Sequence, residues 1–127
     1  MEWYEKQSQS NEVSIELIYH SIQSNQFDVA SSILMDKGRH LISQGHMELL
    51  GLIELIDTDG LKKNTVVLLG QLQGDILALL GRLSEAEEIL TKALEGAKKS
   101  KNSSIEAEIL SSLADVSRKQ QPVRLSR

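Results

Sequence analysis

The chain has 127 residues, of which 40% are hydrophobic and only 3% aromatic. This length suits one domain with a packed core, and an interior built from leucine and isoleucine favours close-packed helices over a β-sandwich. The formal net charge of −4, with acids and bases interspersed, excludes the basic footprint of a protein that binds nucleic acid or an anionic membrane.

The absence of cysteine and of long apolar runs indicates in which cellular compartment the protein is found. Without cysteine there are no disulfides and no thiolate metal sites, which fits a reducing compartment. No apolar run reaches the roughly 18 residues of a membrane-spanning helix. Residues 1–6, MEWYEK, are too polar for a signal peptide. The sequence therefore predicts a cytoplasmic protein that does not enter a membrane.

Seven helices are predicted, and the first two lie before residue 24. Residues 2–7 form a short helical turn, and residues 8–11 form a polar link. Ser10 or Asn11 then serves as the N-cap of a second helix that ends near Gln23, because serine and asparagine side chains accept hydrogen bonds from the free N–H groups of a helix start.

The third and fourth helices meet at a glycine. The third starts at Phe27 and ends at Gly45, because glycine readily adopts the left-handed conformation that closes a helix. The fourth covers residues 46–56, where leucine and isoleucine surround the helix almost completely. Such a helix is expected to be buried on more than one side.

Polar turns separate the remaining helices. Residues 57–60, Asp-Thr-Asp-Gly, form a turn because aspartate and glycine favour local hydrogen bonds and positive φ angles. Asn64 or Thr65 is expected to cap the fifth helix. Ser84 caps the sixth helix, and Glu87 three residues later completes a capping box.

The C-terminal part of the chain contains the last helix and a tail. The sixth helix ends near Lys99, and residues 102–104 cap the seventh. Pro122 closes the seventh helix, because proline has no backbone N–H to continue it. Residues 122–127 are predicted to be a disordered tail.

Three segments each end one helix and start the next: residues 25–30, 44–50 and 80–86. In each segment an apolar residue, Phe27, Met47 or Leu83, lies three positions before a packing residue. One helix–turn–helix unit cannot bury its own apolar face, so three or more must stack. The predicted fold is therefore all-α, a right-handed α-solenoid of about three helix–turn–helix units over residues 1–121.

Residues 67–98 resemble a tetratricopeptide repeat, which implies a superhelix of that type. Larger apolar residues are usual in the family at Gly70 and Gln73, and proline commonly stands at Lys98. Residues 107–120 resemble the first helix of a further repeat whose partner helix is missing. The positions that match the family's spacing of small and apolar residues are Gly74, Leu77, Gly81, Ala86, Leu90 and Ala93.

The N-terminal half carries a second resemblance, in the order of its segments. Trp3-Tyr4, residues 25–30, 38–45 and 52–56, and then the repeat are similar to the helical region of large signal-transduction ATPases related to the maltose-operon activator and the LuxR-type activators. In those regulators the helical repeats follow nucleotide-binding and winged-helix modules and act as the inducer-sensing or partner-binding arm. The chain itself has no Gly-x-x-x-x-Gly-Lys-[Ser/Thr] phosphate loop.

No group of residues indicates catalysis or a metal site. His40 and His46 flank the Gly45 turn, but their spacing matches no known metal site. Asp57 and Asp59 lack the later ligands of a calcium loop, so a capped turn is the better interpretation. No serine in a nucleophile elbow is present. We therefore predict a protein that is not an enzyme and that has no cofactor and no metal.

The predicted binding surface follows from the repeat resemblance, which implies a concave face lined by the first helix of each unit. Asp75 in this surface would repel a carboxylate, which disfavours the C-terminal peptides that carboxylate-clamp repeats hold. Taken singly, each residue is also explained as an ordinary exposed helix residue. The predicted partner-binding residues are Tyr19, Leu68, Gln71, Asp75, Leu79, Glu108, Ser111, Asp115 and Arg118.

These features predict a non-catalytic interaction or ligand-sensing module of a cytoplasmic signalling or transcriptional regulator. The alternative is a free-standing adaptor that binds a peptide or a partner helix. The expected partner is a protein or peptide, or a small-molecule inducer, and neither a nucleic acid nor a membrane. Because no helix follows the seventh to cover Leu110, we also expect a homo-oligomer formed through this C-terminal helix.

Overall fold

A computed structural model describes the backbone of residues 2–120 and the side chains of residues 11–120. The prediction of an all-α fold is confirmed, since this part of the chain contains no strand. The chain divides into two compact units, Met1–Thr65 and Val66–Arg127. Within residues 2–120 the six helices are α1 (Glu2–Gln23), α2 (Phe27–Ser43), α3 (Leu49–Glu54), α4 (Lys63–Leu79), α5 (Leu83–Lys99) and α6 (Ser103–Gln120).

The first helix is longer than the sequence predicted. Because α1 runs without a break, the predicted polar link at residues 8–11 and the predicted N-cap at Ser10 or Asn11 are wrong. Residues 2–23 contain no glycine and no proline. Serine and asparagine inside a helix cost only about 0.5 kcal/mol each relative to alanine, which is too little to end one. The predicted first two helices are therefore one.

The first unit has a core of aliphatic side chains. In it α1 packs against both α2 and α3. Burying such a side chain completely contributes about 1.5–3 kcal/mol, so these residues anchor the three helices to each other. The largest core residues, each at most 1% exposed, are Ile18 on α1, Leu34 and Leu41 on α2, and Leu49 on α3.

The helix predicted at residues 46–56 is shorter and less buried than expected. It covers only six residues as α3. Leu49 and Ile53 are buried, whereas Leu55 is 56% exposed. The expectation of burial on more than one side is therefore wrong, because one side of α3 faces the core of the unit and the other is open.

Four helices end in the same turn, in which two backbone N–H groups return to carbonyls of the last helical turn. The left-handed end predicted at Gly45 is confirmed. The residues with positive φ in these four turns are Asn25 (59°), Gly45 (91°), Gly81 (83°) and Lys101 (56°). The N–H of the next residue donates to a carbonyl five residues back, in the pairs Gln26–Ser21 (2.7 Å), His46–Leu41 (3.0 Å), Arg82–Leu77 (2.9 Å) and Asn102–Ala97 (3.1 Å).

The capping box predicted at Ser84 and Glu87 is wrong. Helix α5 starts at Leu83 and has Arg82 as its N-cap residue, without a side-chain hydrogen bond at the cap. The Arg82 carbonyl already accepts a hydrogen bond from the Ala86 N–H at 3.0 Å. Because the preceding turn leads directly into the helix, Ser84 lies inside it.

The two other predicted caps have different outcomes. Asn64 and Thr65 lie inside α4, which begins at Lys63, so the predicted cap is wrong by two or three residues. The cap predicted for the last helix is confirmed, because the Ile105 N–H donates to the Asn102 Oδ1 at 3.1 Å.

In the second unit α4 and α5 approach each other closely at glycines. A Cβ added to Gly74 would lie 2.6 Å from the Cγ of Leu90, and one added to Gly96 would lie 2.8 Å from a methyl carbon of Val67. The two helices therefore pack at a separation that only glycine allows at these positions. Helix α5 also packs against α6.

The predicted closure of the last helix at Pro122 and the predicted disordered tail at residues 122–127 lie outside the described residues. The single domain predicted over residues 1–121 stays a prediction. None of the helices in the described part of the chain is both long and apolar enough to cross a membrane.

Candidate functional site

The first unit contains an open groove between α1 and the segment that includes α3. Its volume is about 600 Å³, which lies within the roughly 300–1,000 Å³ of typical ligand pockets. The residues that line it are Ile15, Glu16, Tyr19, His20, Glu48, Gly51, Leu52 and Leu55.

One wall of the groove is a face of α1. Ile15 and Tyr19 are four residues apart, so they lie on the same side of the helix. Ile18 points the other way, into the core, and is 0% exposed. Tyr19 is 46% exposed, which leaves much of its ring in contact with solvent. The core side chains of α1 thus fix the position of the wall, and Tyr19 projects from it.

The opposite wall comes from α3 and its flanking residues. Leu52 is half-buried and Leu55 is 56% exposed. Gly51 lies between them and Glu48, and a Cβ added at Gly51 would meet no atom within 4 Å. At Gly51 the wall therefore presents only backbone, with open space beside it.

The polar groups of the groove are two carboxylates, a histidine ring and a tyrosine hydroxyl. Glu16 and Glu48 carry carboxylates, and neither lysine nor arginine is among the lining residues whose side chains the structure describes, residues 11–120. The Nδ1 of His46 lies 3.1 Å from the Oε2 of Glu48 and holds that side chain. The rings of Tyr19 and His20 meet edge to face, with centroids 5.7 Å apart. The groove thus combines apolar walls with carboxylates at its edge.

Of the predicted partner-binding residues, Tyr19 lies in this groove. The others belong to the second unit. Leu79 is 58% exposed, whereas Leu68 and Asp75 are half-buried, all on α4. The predicted residues on α6 are all exposed, and the Arg118 guanidinium donates a hydrogen bond to the Asp115 carboxylate; these residues are Glu108, Ser111, Asp115 and Arg118.

Gln71 is placed differently from the other predicted residues. Its side chain is 3% exposed, and its Oε1 has no hydrogen-bond partner among the described residues. A buried polar atom without a partner costs about 1–3 kcal/mol. The side chain of Gln71 is therefore part of the interior and is not presented at the surface.

Sequence reasoning missed most of the groove. Leu52 and Leu55 were expected to be buried, because they belong to the strongly apolar helix predicted at residues 46–56. Gly51 offers the one signal that could have indicated the site. A glycine inside an apolar helix lowers helix stability, and it is retained where open backbone or close approach is needed.

Within the described residues, no group of three or more histidine, aspartate or glutamate side chains is arranged to hold a metal ion. The turn predicted at residues 57–60 is confirmed, because the Asp59 N–H donates to the Asp57 Oδ1 at 3.0 Å. No protein-family model, curated protein or solved structure matches the chain.

Proposed function

We propose that the chain is a non-catalytic interaction module that binds a partner through the groove between α1 and α3. The observation that carries this proposal is the exposure of large apolar side chains on both walls, Tyr19 at 46% and Leu55 at 56%. Aromatic and aliphatic groups at a concave surface favour binding, because a partner that covers them removes them from water.

The scaffold of this module is a right-handed solenoid of the tetratricopeptide type. Support comes from two helix pairs, α1–α2 and α4–α5, that share the same turn. Each pair has a fully buried alanine at the same place after the turn, Ala30 and Ala86. The N–H of each alanine donates to the carbonyl of the residue that follows the positive-φ residue, Gln26 or Arg82. Circular dichroism with appreciable strand content would contradict this scaffold.

Within a larger protein the module is the sensing or partner-binding arm of a cytoplasmic signalling or transcriptional regulator. The alternative is a free-standing adaptor that recognises a peptide or partner helix. The reading frame that encodes the chain distinguishes the regulator from the adaptor. A phosphate loop and a winged helix encoded in the same reading frame support the regulator, whereas an isolated frame supports the adaptor.

Capture experiments with a groove-filling variant test the proposed site. Gly51 lines the groove and an added Cβ there meets no atom within 4 Å, so leucine at this position adds a large side chain at the groove and also favours the helix more than glycine does. Tagged native chain and Gly51→Leu are used side by side on the same cell extract. A partner held by the native chain and lost by the variant supports the proposal. If every captured partner is held equally by both, the groove is not the binding site.

The module is also proposed to self-associate through α6. Leu110 on this helix is 48% exposed, and pairing with a second copy would cover it. Light scattering should give a dimer or larger mass that Leu110→Glu reduces to the monomer. Ser111→Glu is the matched control, because it adds the same charge about 100° further round the helix. A monomer mass at high concentration, or an oligomer unchanged by Leu110→Glu, would contradict the proposal.

A further inference from the structure

We infer that the partner seated in the groove is an amphipathic helix with lysine or arginine beside its apolar face. This inference rests on the proposed function and adds the chemistry of the occupant. It follows from three properties of the groove: how far it runs, how open it is, and which charges stand at its edge.

The extent of the groove fits a short helical segment. From Glu48 to Leu55 the α3 wall runs for about 10 Å, at roughly 1.5 Å per helical residue. Ile15 and Tyr19 on α1 are one helical turn apart. About two turns of a partner helix fit this distance, with apolar side chains at i, i+3 or i+4, and i+7. Gly51 lines the groove, and a Cβ added there would meet no atom within 4 Å, so a partner side chain can approach the backbone at this point.

The openness of the groove favours a helix over a small molecule. Ligand pockets usually enclose about 70–90% of a small ligand's surface. Here Tyr19 and Leu55 remain about half exposed, so the two walls are open to solvent on the outer side. A helix laid along the groove covers both side chains and keeps its own polar face in water.

The charge at the edge of the groove determines which charge the partner carries. Glu16 stands on the α1 side and Glu48 on the α3 side, and within residues 11–120 no lysine or arginine lines the groove. Charged rims of this kind attract the opposite charge and repel the same charge. The partner helix therefore carries basic residues next to its apolar stripe, and an acidic helix with the same stripe is rejected.

Two synthetic helical peptides test this inference. Both have the same length and the same leucine stripe, and one has lysine at the flanking positions where the other has glutamate. Titration calorimetry with the full chain should give a dissociation constant roughly tenfold lower for the lysine peptide, because its charges attract Glu16 and Glu48 whereas those of the glutamate peptide are repelled. Equal affinity for the two peptides would overturn the charge assignment.

Substitutions in the chain test whether the groove residues cause the difference in affinity between the two peptides. Gly51→Leu should weaken the lysine peptide at least tenfold, although the variant melts at the same or a higher temperature. Glu16→Gln combined with Glu48→Gln should remove most of the difference between the peptides. Asp28→Asn, at an exposed carboxylate of α2 outside the groove, is the matched control and should leave the difference unchanged. An equal effect of the control and the double variant would overturn the inference.

The results of these experiments distinguish a failure of this inference from a failure of the proposed function. If neither peptide binds but a captured partner still depends on Gly51, the groove remains the site and only the basic helix is wrong. If an apolar dye binds in the groove and both peptides fail to displace it, the occupant is a small molecule and the inference is overturned.

Discussion

At Gly74 the stability of the second unit depends on the absence of one carbon atom. The Cγ of Leu90 would lie 2.6 Å from an added Cβ, and Leu90 is fully buried and cannot swing away. Overpacking of this kind costs about 1–3 kcal/mol, which outweighs the gain of up to about 1 kcal/mol in helix propensity. We expect Gly74→Ala to lower the free energy of unfolding by about 1–2 kcal/mol in urea denaturation.

Gly51→Ala is the matched control for Gly74→Ala. No atom lies within 4 Å of its added Cβ, so only the propensity gain of about 0.5–1 kcal/mol remains and the variant should be more stable. Equal effects of the two alanine substitutions would show that α4 and α5 are not in close contact at Gly74.

The carboxylate of Glu85 provides a test by pH. Arg82 donates two hydrogen bonds to it, each 2.7 Å long, and these bonds lower the pKa of Glu85 below its ordinary value. A lowered pKa means that the contact stabilises the fold at neutral pH and that this contribution is lost as the pH falls through the lowered pKa. In an NMR titration, Arg82→Gln should raise the pKa of Glu85. An unchanged pKa in this variant would show that the contact does not form.

At the scale of the element, the four shared turns differ in how well their residues suit them. Gly81 and Gly45 adopt positive φ without strain, whereas Lys101 at 56° carries a side chain into the left-handed region. We expect Lys101→Gly to raise the free energy of unfolding by about 0.5–1 kcal/mol, and Gly81→Ala to lower it by about 1 kcal/mol. Denaturation of both variants measures these two changes in the free energy of unfolding. A loss of stability in Lys101→Gly would contradict the turn geometry.

The same turns show which helix ends could be predicted from sequence. Gly45 and Gly81 mark their turns because glycine is the residue that this backbone conformation favours. The cap predicted at Ser84 was wrong, because serine also occurs inside helices when the preceding turn already forms the start of the helix. The continuity of α1 could not be read from its serines, because the packing of Ile18 against other helices outweighs weak local preferences.

At the scale of the whole molecule, the all-α class was predictable and most of the candidate site was not. Composition and helical spacing determine that the chain is helical. The groove joins residues of α1 with residues around α3 that are far apart in sequence, and it depends on which side of α3 meets the core. Tyr19 was predicted as a binding residue because it occupies a position comparable to a binding position of the repeat. Leu55 was not predicted, because in the sequence an exposed leucine cannot be distinguished from a buried one.

The most direct test of the account is an NMR titration of the labelled full chain with the lysine-flanked peptide. We expect the largest chemical-shift changes and intermolecular contacts at Ile15, Tyr19, Gly51 and Leu52, and their loss in Gly51→Leu. Shift changes concentrated on α6 or spread evenly over the chain, with none in the groove, would contradict the claim that α1 and α3 form the binding site.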